Sequence, residues 1–250
     1  MQKICAATSY TRNFEKLGTF SALTLKEYAQ KFGYDLHVNS DLVATDRAAS
    51  WQKIPLIREL FHEGYDFVFW MDADALFMRY NQDLQEMIEP GKDLYMVCHP
   101  VPDHFIGQKD TPNAGVMLLR NCEWTRDLLQ VLWDFEEYIR HPWSENAALL
   151  DLMGYYYPLE KGENHLNQEF LEHVKFIGLE WNSFPHIPSC CASRPIIKHY
   201  AGLTNEYRLK NMSKDYLFST GFLPEKEKLA KLFSRLGNML PRSSRQLRDP

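Results

Sequence analysis

Two carboxylates with a single residue between them, Asp72-Ala73-Asp74, follow directly on the apolar run Phe67-Val68-Phe69-Trp70-Met71. Phe67 to Met78 contains neither lysine nor arginine, so nothing local neutralises them. Ionised carboxylates embedded in apolar sequence are costly without a cation at hand. Hard oxygen donors of this kind suit Mg²⁺ or Mn²⁺ rather than zinc. An Asp-x-Asp triplet can equally be a pair of exposed loop acids or a helix cap. Here the apolar Ala75-Leu76-Phe77-Met78 that follows argues for enclosure and a metal site. A phosphatase of the haloacid dehalogenase type would need a threonine two residues beyond the second aspartate, where this chain has Leu76.

Such a pair needs an element to carry it. Phe67 to Met71 is apolar without alternation, as in a strand covered on both faces. Ligands of layered α/β sheets gather beyond the carboxyl ends of such strands. Other strands are expected at Ile4 to Thr8, Tyr34 to Val38, Leu94 to Cys98, Gly115 to Leu119, Lys175 to Ile177 and Pro195 to His199. His99 to Asn113 reads as a polar loop. Apolar residues at three- and four-residue steps predict a helix from Asn13 that Gly33 stops, and another from an Ser50 cap to Gly64. Further helices are expected over Cys122 to Ile139, from Ser144 through Met153, and over His165 to Val174. Strands alternating with helices give an α/β fold with a mostly parallel sheet. The domain is placed at residues 1–223, ahead of a tail at 224–250.

The 250 residues carry 28 basic and 33 acidic side chains, a formal charge of −5, which argues against nucleic acid as the main partner. Five scattered cysteines make no disulfide framework and no CxxC pair. No apolar run reaches the 18 or so residues of a membrane span, and no signal peptide is evident, so the chain is expected to be soluble. Between Pro224 and Pro250, seven basic residues face three acids, a net +4, and Leu229, Leu232, Phe233, Leu236 and Leu240 recur at helical spacing. That pattern is either a basic amphipathic helix for an anionic membrane surface or a helix packed on the domain.

Several blocks together resemble glycosyltransferase family 34, which takes in plant xyloglucan xylosyltransferases and fungal α-galactosyl- and α-mannosyltransferases. They are Ser50-Trp51-Gln52-Lys53-Ile54-Pro55-Leu56-Ile57-Arg58, then Phe69 to Phe77 around the two aspartates, then Pro112-Asn113-Ala114-Gly115-Val116-Met117-Leu118-Leu119-Arg120-Asn121-Cys122-Glu123-Trp124, then Lys198-His199-Tyr200-Ala201-Gly202. The blocks are collinear and cover roughly residues 2 to 205. The resemblance implies a single-domain GT-A fold and a divalent metal, Mn²⁺ or Mg²⁺, with Asp74 and His199 as direct ligands. Asp72 would touch the metal, its water or the donor ribose. The implied reaction is transfer, with retention, of a hexose or pentose from a nucleotide-diphosphate sugar, UDP-sugars first, to a glycan hydroxyl.

On the same footing, Thr8, Ser9 and Tyr10 are expected at the ribose and base. Lys53 would reach a donor phosphate or brace the aspartate loop. Asn113 and Gly115 would border the donor sugar, and Gly202 belongs to the histidine block. Where the family carries Asp-Asp-Gln, this chain has Ser144-Glu145-Asn146. Glu145 is therefore the candidate for stabilising or attacking the oxocarbenium-like state, and Asn146 for holding the sugar; helix capping is the plainer alternative. The plant enzymes' lysine after the histidine motif falls near Thr204 here, which would leave Lys198 or Arg208 to meet the diphosphate. Two other classes compete: a sugar- or nucleotide-binding protein without catalysis on the same scaffold, and a metal-dependent phosphohydrolase or nucleotidyltransferase. A cytoplasmic chain, peripheral at the inner membrane face through its tail, is the expected location. The Golgi lumen is the alternative if an N-terminal anchor has been removed.

Overall fold

A computed structural model describes residues 2–41, 46–103, 107–156 and 162–219. The tail at 224–250, with its membrane-surface reading, lies outside the described residues, as does the proposed boundary at 223. No helix among the described residues is long and apolar enough to cross a membrane.

The chain opens with strand β1 (Ile4–Ser9), helix α1 (Glu15–Phe32) and strand β2 (Asp35–Asn39). Gly33 ends α1 in the left-handed region at φ 73°, where an L side chain would be strained. Helix α2 (Lys53–His62) leads into β3 (Phe67–Met71) and the short β4 (Ala75–Phe77). Then come β5 (Leu94–Asp103), β6 (Gly107–Arg120), α3 (Glu123–Asp134), α4 (Ser144–Met153), α5 (Gln168–Glu172), β7 (Val174–Ile177), β8 (Ile197–His199) and α6 (Asn205–Ser219).

Six strands form one sheet in the order β2-β1-β3-β6-β5-β7. The β1–β2, β1–β3 and β5–β7 pairings are parallel, while β6 runs antiparallel to both its neighbours. The α/β class and the mostly parallel sheet expected from the alternation are therefore present. Strand β3 explains its own unbroken apolar run. Phe67, Phe69 and Met71 join the core that contains Leu25, Tyr28 and Ala29 of α1. Val68 and Trp70 enter the opposite core with Ile54, Ile57 and Leu60 of α2, Leu128, Leu129 and Leu132 of α3, and Leu149 of α4. All five β3 residues are buried, and each buried large apolar side chain contributes about 1.5–3 kcal/mol relative to exposure.

Four local expectations change. Ser50 caps nothing; a 3-10 turn (Ala49–Gln52) leads into α2, with Gln52 at the cap position. Most of the loop expected over His99 to Asn113 is strand: backbone pairing continues from Val97↔Asn113 out to Asp103↔Gly107, so His99–Asp103 and Gly107–Asn113 extend β5 and β6. Hairpin extension by backbone bonds tolerates polar and proline-bearing sequence that a buried strand would not. The helix expected over Cys122 to Ile139 stops at Asp134, with only a 3-10 turn at Glu136–Tyr138 beyond it. That expected over His165 to Val174 shrinks to the five residues of α5, capped by the Asn167 side chain on the Phe170 N–H.

Strands β4 and β8 form a separate two-stranded ribbon, pairing Ala75↔His199, Leu76↔Lys198 and Phe77↔Ile197. The Tyr200 N–H donates to the Asp74 carbonyl at 3.0 Å, extending the ribbon to the aspartate pair.

Candidate active site and metal centre

The carboxyl ends of β1 and β3, the β4–β8 ribbon, the start of α4 and the base of the β5–β6 hairpin border one cleft of about 570 Å³. That volume lies in the ordinary range for small-molecule sites. Asp72 and Asp74 follow β3, as its sequence required. Asp72, Asp74 and His199 each offer one ligand atom, all within 4.8 Å of one another.

The orientation of His199 is fixed by a relay. The Gly115 N–H donates to Asn113 Oδ1 at 2.9 Å, so that oxygen is an acceptor. Asn182 Nδ2 donates to the same oxygen at 2.9 Å, which turns Asn182 Oδ1 toward His199 Nδ1, also at 2.9 Å. His199 Nδ1 must therefore carry a proton. In the neutral ring Nε2 then presents its lone pair to Asp74 Oδ1, 3.2 Å away. Two acceptors face each other, an arrangement that a shared cation satisfies, and the outer partner of the imidazole is the kind that metal-binding histidines have. On the chemistry of these donors, the three residues fit a divalent metal.

Charge around the aspartates is balanced on both sides. Asp74 Oδ2 pairs with Arg208 Nη2 at 2.9 Å. Burial alone would raise the Asp74 carboxyl, but against a protonated ring, whose Nε2 donates to Asp74 in place of a shared metal, His199 and then Arg208 outweigh burial and hold the pKa at about 2. Asp72 Oδ1 accepts from Trp70 Nε1 at 2.7 Å and lies 2.9 Å from Lys53 Nζ. Its carboxyl is shifted up by burial, against the pull of Lys53. Lys53, itself 1% exposed, also reaches Glu145 Oε1 at 2.7 Å and the Ala114 carbonyl at 3.1 Å. Burial opposes its charge, yet Asp72 and Glu145 more than compensate and keep its pKa above the ordinary lysine value.

Opposite the carboxylates, β6 bulges. The register against β5 jumps from Met96↔Met117 to Val97↔Asn113, and the intervening backbone is held by site residues. The Ala114 N–H donates to Asn146 Oδ1 at 2.7 Å, and the Gly115 carbonyl accepts from the Asp72 N–H at 2.7 Å. With Lys53 on the Ala114 carbonyl and Asn113 on the Gly115 N–H, every polar group of Ala114 and Gly115 has a partner from the site. Gly115 is thus both a bulge glycine and a close approach, since a Cβ on it would lie 2.1 Å from His199 Cε1.

Ser9, Tyr10, Asp72, Asp74, Asn113, Gly115, Glu145, Asn146, His199, Gly202 and Arg208 all border the cleft. Thr8 does not: it is fully buried, pairs with Val38 and leaves its hydroxyl without a partner. Lys53 takes the bracing place of its two expected ones, since its ammonium is spent behind the cleft wall on three acceptors. Lys198 is turned away. Its Nζ binds Asp215 Oδ2 at 3.0 Å, on a carboxylate that Tyr200 Oη shares. Strand alternation demands this, because β8 points His199 inward and so its neighbour outward. Asn146 spends its oxygen on the bulge and keeps only a 3.5 Å contact from Nδ2 to the Pro112 carbonyl. Ser144, just before Glu145, has φ 48°, the one positive value for a non-glycine residue among those described. Asn182 and His99 carry no sequence signal and were missed. His99 stacks on Phe184 at 3.9 Å and its Nε2 donates to the Asn182 carbonyl at 2.6 Å, so it backs the relay.

Comparison with solved structures identifies the fold. The galactosyltransferase LgtC, in complex with donor and acceptor sugar analogues, superposes with a TM-score of 0.59 at 11% identity, covering 91% of this chain and 99% of that one. The apo bifunctional glycosyltransferase WbbM gives 0.62 at 13% identity, over 92% and 51% of the two chains. At such identities the likeness is one of fold, and the fold is the GT-A arrangement of glycosyltransferases. Residues 23–182 match the galactosyl transferase GMA12/MNN10 family, and the chain belongs to that family. Xyloglucan 6-xylosyltransferase 4 of Arabidopsis thaliana is 34% identical over 108 residues, which are 41% of this chain and 20% of that protein. Xyloglucan 6-xylosyltransferase 1 of the same plant is 36% identical over 107 residues, 41% and 23% of the two. The match thus spans about a fifth of the length of these curated relatives.

Proposed function

We propose that this protein is a metal-dependent, retaining glycosyltransferase that moves a hexose or pentose from a nucleotide-diphosphate sugar to a hydroxyl of a glycan. The observation that carries the reading is the convergence of Asp72, Asp74 and His199 within 4.8 Å at the floor of a cleft, with the histidine held by the asparagine relay. The relatives and neighbours named above, xylosyltransferases and a galactosyltransferase, support a pentose or hexose donor. A divalent cation, Mn²⁺ or Mg²⁺, supplies Lewis-acid stabilisation of the departing diphosphate when held by these three residues.

The chain's own residues do the rest. Ser9 and Tyr10, at the end of β1, receive the nucleoside, a UDP-sugar being the first to test. Arg208, which borders the cleft, is the cation for the donor phosphates; Lys198 is not available for that work. Asn113, Gly115 and Gly202 line the donor sugar and diphosphate. Glu145 stabilises positive charge developing at the anomeric carbon, and Asn146 ties α4 to the bulge beside the sugar. Ser9, Tyr10, Arg208 and the largely buried Glu145 all border the cleft, which is the support for these roles.

The test is a panel of UDP- and GDP-sugars with Mn²⁺, scored for donor hydrolysis. One or two donors should turn over, with activity lost on adding EDTA and in Asp74→Asn and His199→Ala. Undiminished turnover in both variants would remove the metal assignment.

A further inference from the structure

Lys53 is buried deeper than any other cation that meets the site carboxylates, and its chemistry is fully used. An ammonium has three N–H donors, and three acceptors surround this one: Asp72 Oδ1 at 2.9 Å, Glu145 Oε1 at 2.7 Å and the Ala114 carbonyl at 3.1 Å. The three acceptors come from three separate elements: the turn after β3, the start of α4, and the β6 bulge. Glu145 is 5% exposed, yet it borders the cleft. Its Oε1 is committed to Lys53, while its Oε2 is shielded from solvent and has no hydrogen-bond partner among the described residues. Burying a carboxylate oxygen without a partner is unfavourable unless something else in the working state completes it.

We infer that Lys53 is a positioning residue which, by holding one oxygen of Glu145, fixes the orientation of that carboxylate at the border of the cleft where the donor sugar would bind. This inference rests on the glycosyl-transfer reading above. Lys53 fixes the plane of the Glu145 carboxylate at the border of the cleft through its 2.7 Å contact with Oε1. Through Asp72 and Ala114 it also ties that plane to the metal ligands and to the bulge that backs His199. Asp72 does not depend on Lys53 alone, because Trp70 Nε1 holds the same oxygen at 2.7 Å. Glu145 has no such reserve among the bonds of its carboxylate, so its orientation is where the loss of Lys53 is felt first.

The experiment compares Lys53→Met, Glu145→Gln and the double variant in the full chain, by donor hydrolysis with Mn²⁺ and by thermal unfolding without metal. Folding is checked by near-UV circular dichroism. The expected result for folded Lys53→Met is a kcat lower by about 100-fold with donor KM within about threefold, the split of a group that acts on the transition state rather than on binding. The double variant should have the kcat of Glu145→Gln, because residues acting through one another are not additive. It should also melt higher than Lys53→Met, since no carboxylate is stranded at position 145. A folded Lys53→Met with near-normal kcat, or a loss confined to KM, overturns the positioning role. If Lys53→Met does not fold, the double variant decides: a further drop of about tenfold or more below Glu145→Gln overturns it. A wild-type chain that hydrolyses no nucleotide sugar overturns instead the reading on which the inference rests.

Discussion

The imidazole of His199 packs against Gly115, so close that a methyl group there would sit 2.1 Å from Cε1 and 2.8 Å from Nδ1. Gly115→Ala should therefore push the ring off the asparagine relay. The fold should survive with a loss of about 1–3 kcal/mol, the usual range for overpacking. Mn²⁺ affinity, read by calorimetric titration, should fall by about tenfold or more, as when the outer partner of a metal-binding histidine is lost. Unchanged affinity would separate His199 from metal binding.

Lys198 and Arg208 part company in the structure and should part in kinetics. Lys198 pairs with Asp215 away from the cleft, so Lys198→Ala should leave donor KM within about twofold and cost at most about 1 kcal/mol, as for a partly exposed ion pair. Arg208 borders the cleft and meets Asp74. Arg208→Ala should raise donor KM and weaken nucleotide binding, measured by fluorescence or calorimetry with UDP. Equal effects from the two variants would contradict the geometry.

Ser144 carries left-handed strain at φ 48°. An L residue pays roughly 1–2 kcal/mol there that glycine does not. Ser144→Gly should leave urea-unfolding stability unchanged or higher, whereas Ser144→Val, β-branched, should lower it and disturb Glu145 and Asn146. Strong destabilisation by glycine would mean that the serine hydroxyl outweighs the strain.

His99 is fully buried, and burial lowers its pKa from 6.5 to about 4. The unfolded chain therefore binds a proton between those values that the folded chain refuses. Stability should be undiminished above pH 6.5 and fall as the pH drops toward 4, by up to roughly 3 kcal/mol for a shift of about 2.5 units. Urea titrations at several pH values measure the slope, and His99→Phe should flatten it.

Much of this was legible in the chain because local signals and tertiary demands coincide. The unbroken apolar run of β3 needed two covered faces and has them, and Gly33 stops α1 where its freedom at positive φ is required. The aspartate pair sits at the carboxyl end of that strand, so its place in the cleft followed from the strand itself. The hairpin beyond Val97 was hidden, because its strength lies in backbone bonds between residues that look like a loop. Asn182 was equally hidden: an asparagine gains meaning only when Asn113 and His199, far apart in sequence, meet around it. The turning away of Lys198 was available in principle, since an inward His199 on a strand forces its neighbour outward.

The ribbon of β4 and β8 holds only three residue pairs, and His199, the candidate ligand from the last third of the chain, hangs on that ladder. A slip of one residue would swing Lys198 toward Asp74 and His199 into the place Lys198 now occupies, replacing a cation receptor with a cation. The proposed metal centre is therefore stored as a choice of register, made 125 residues after the aspartate it would serve, and a nascent chain lacks that constellation until its eighth strand has docked.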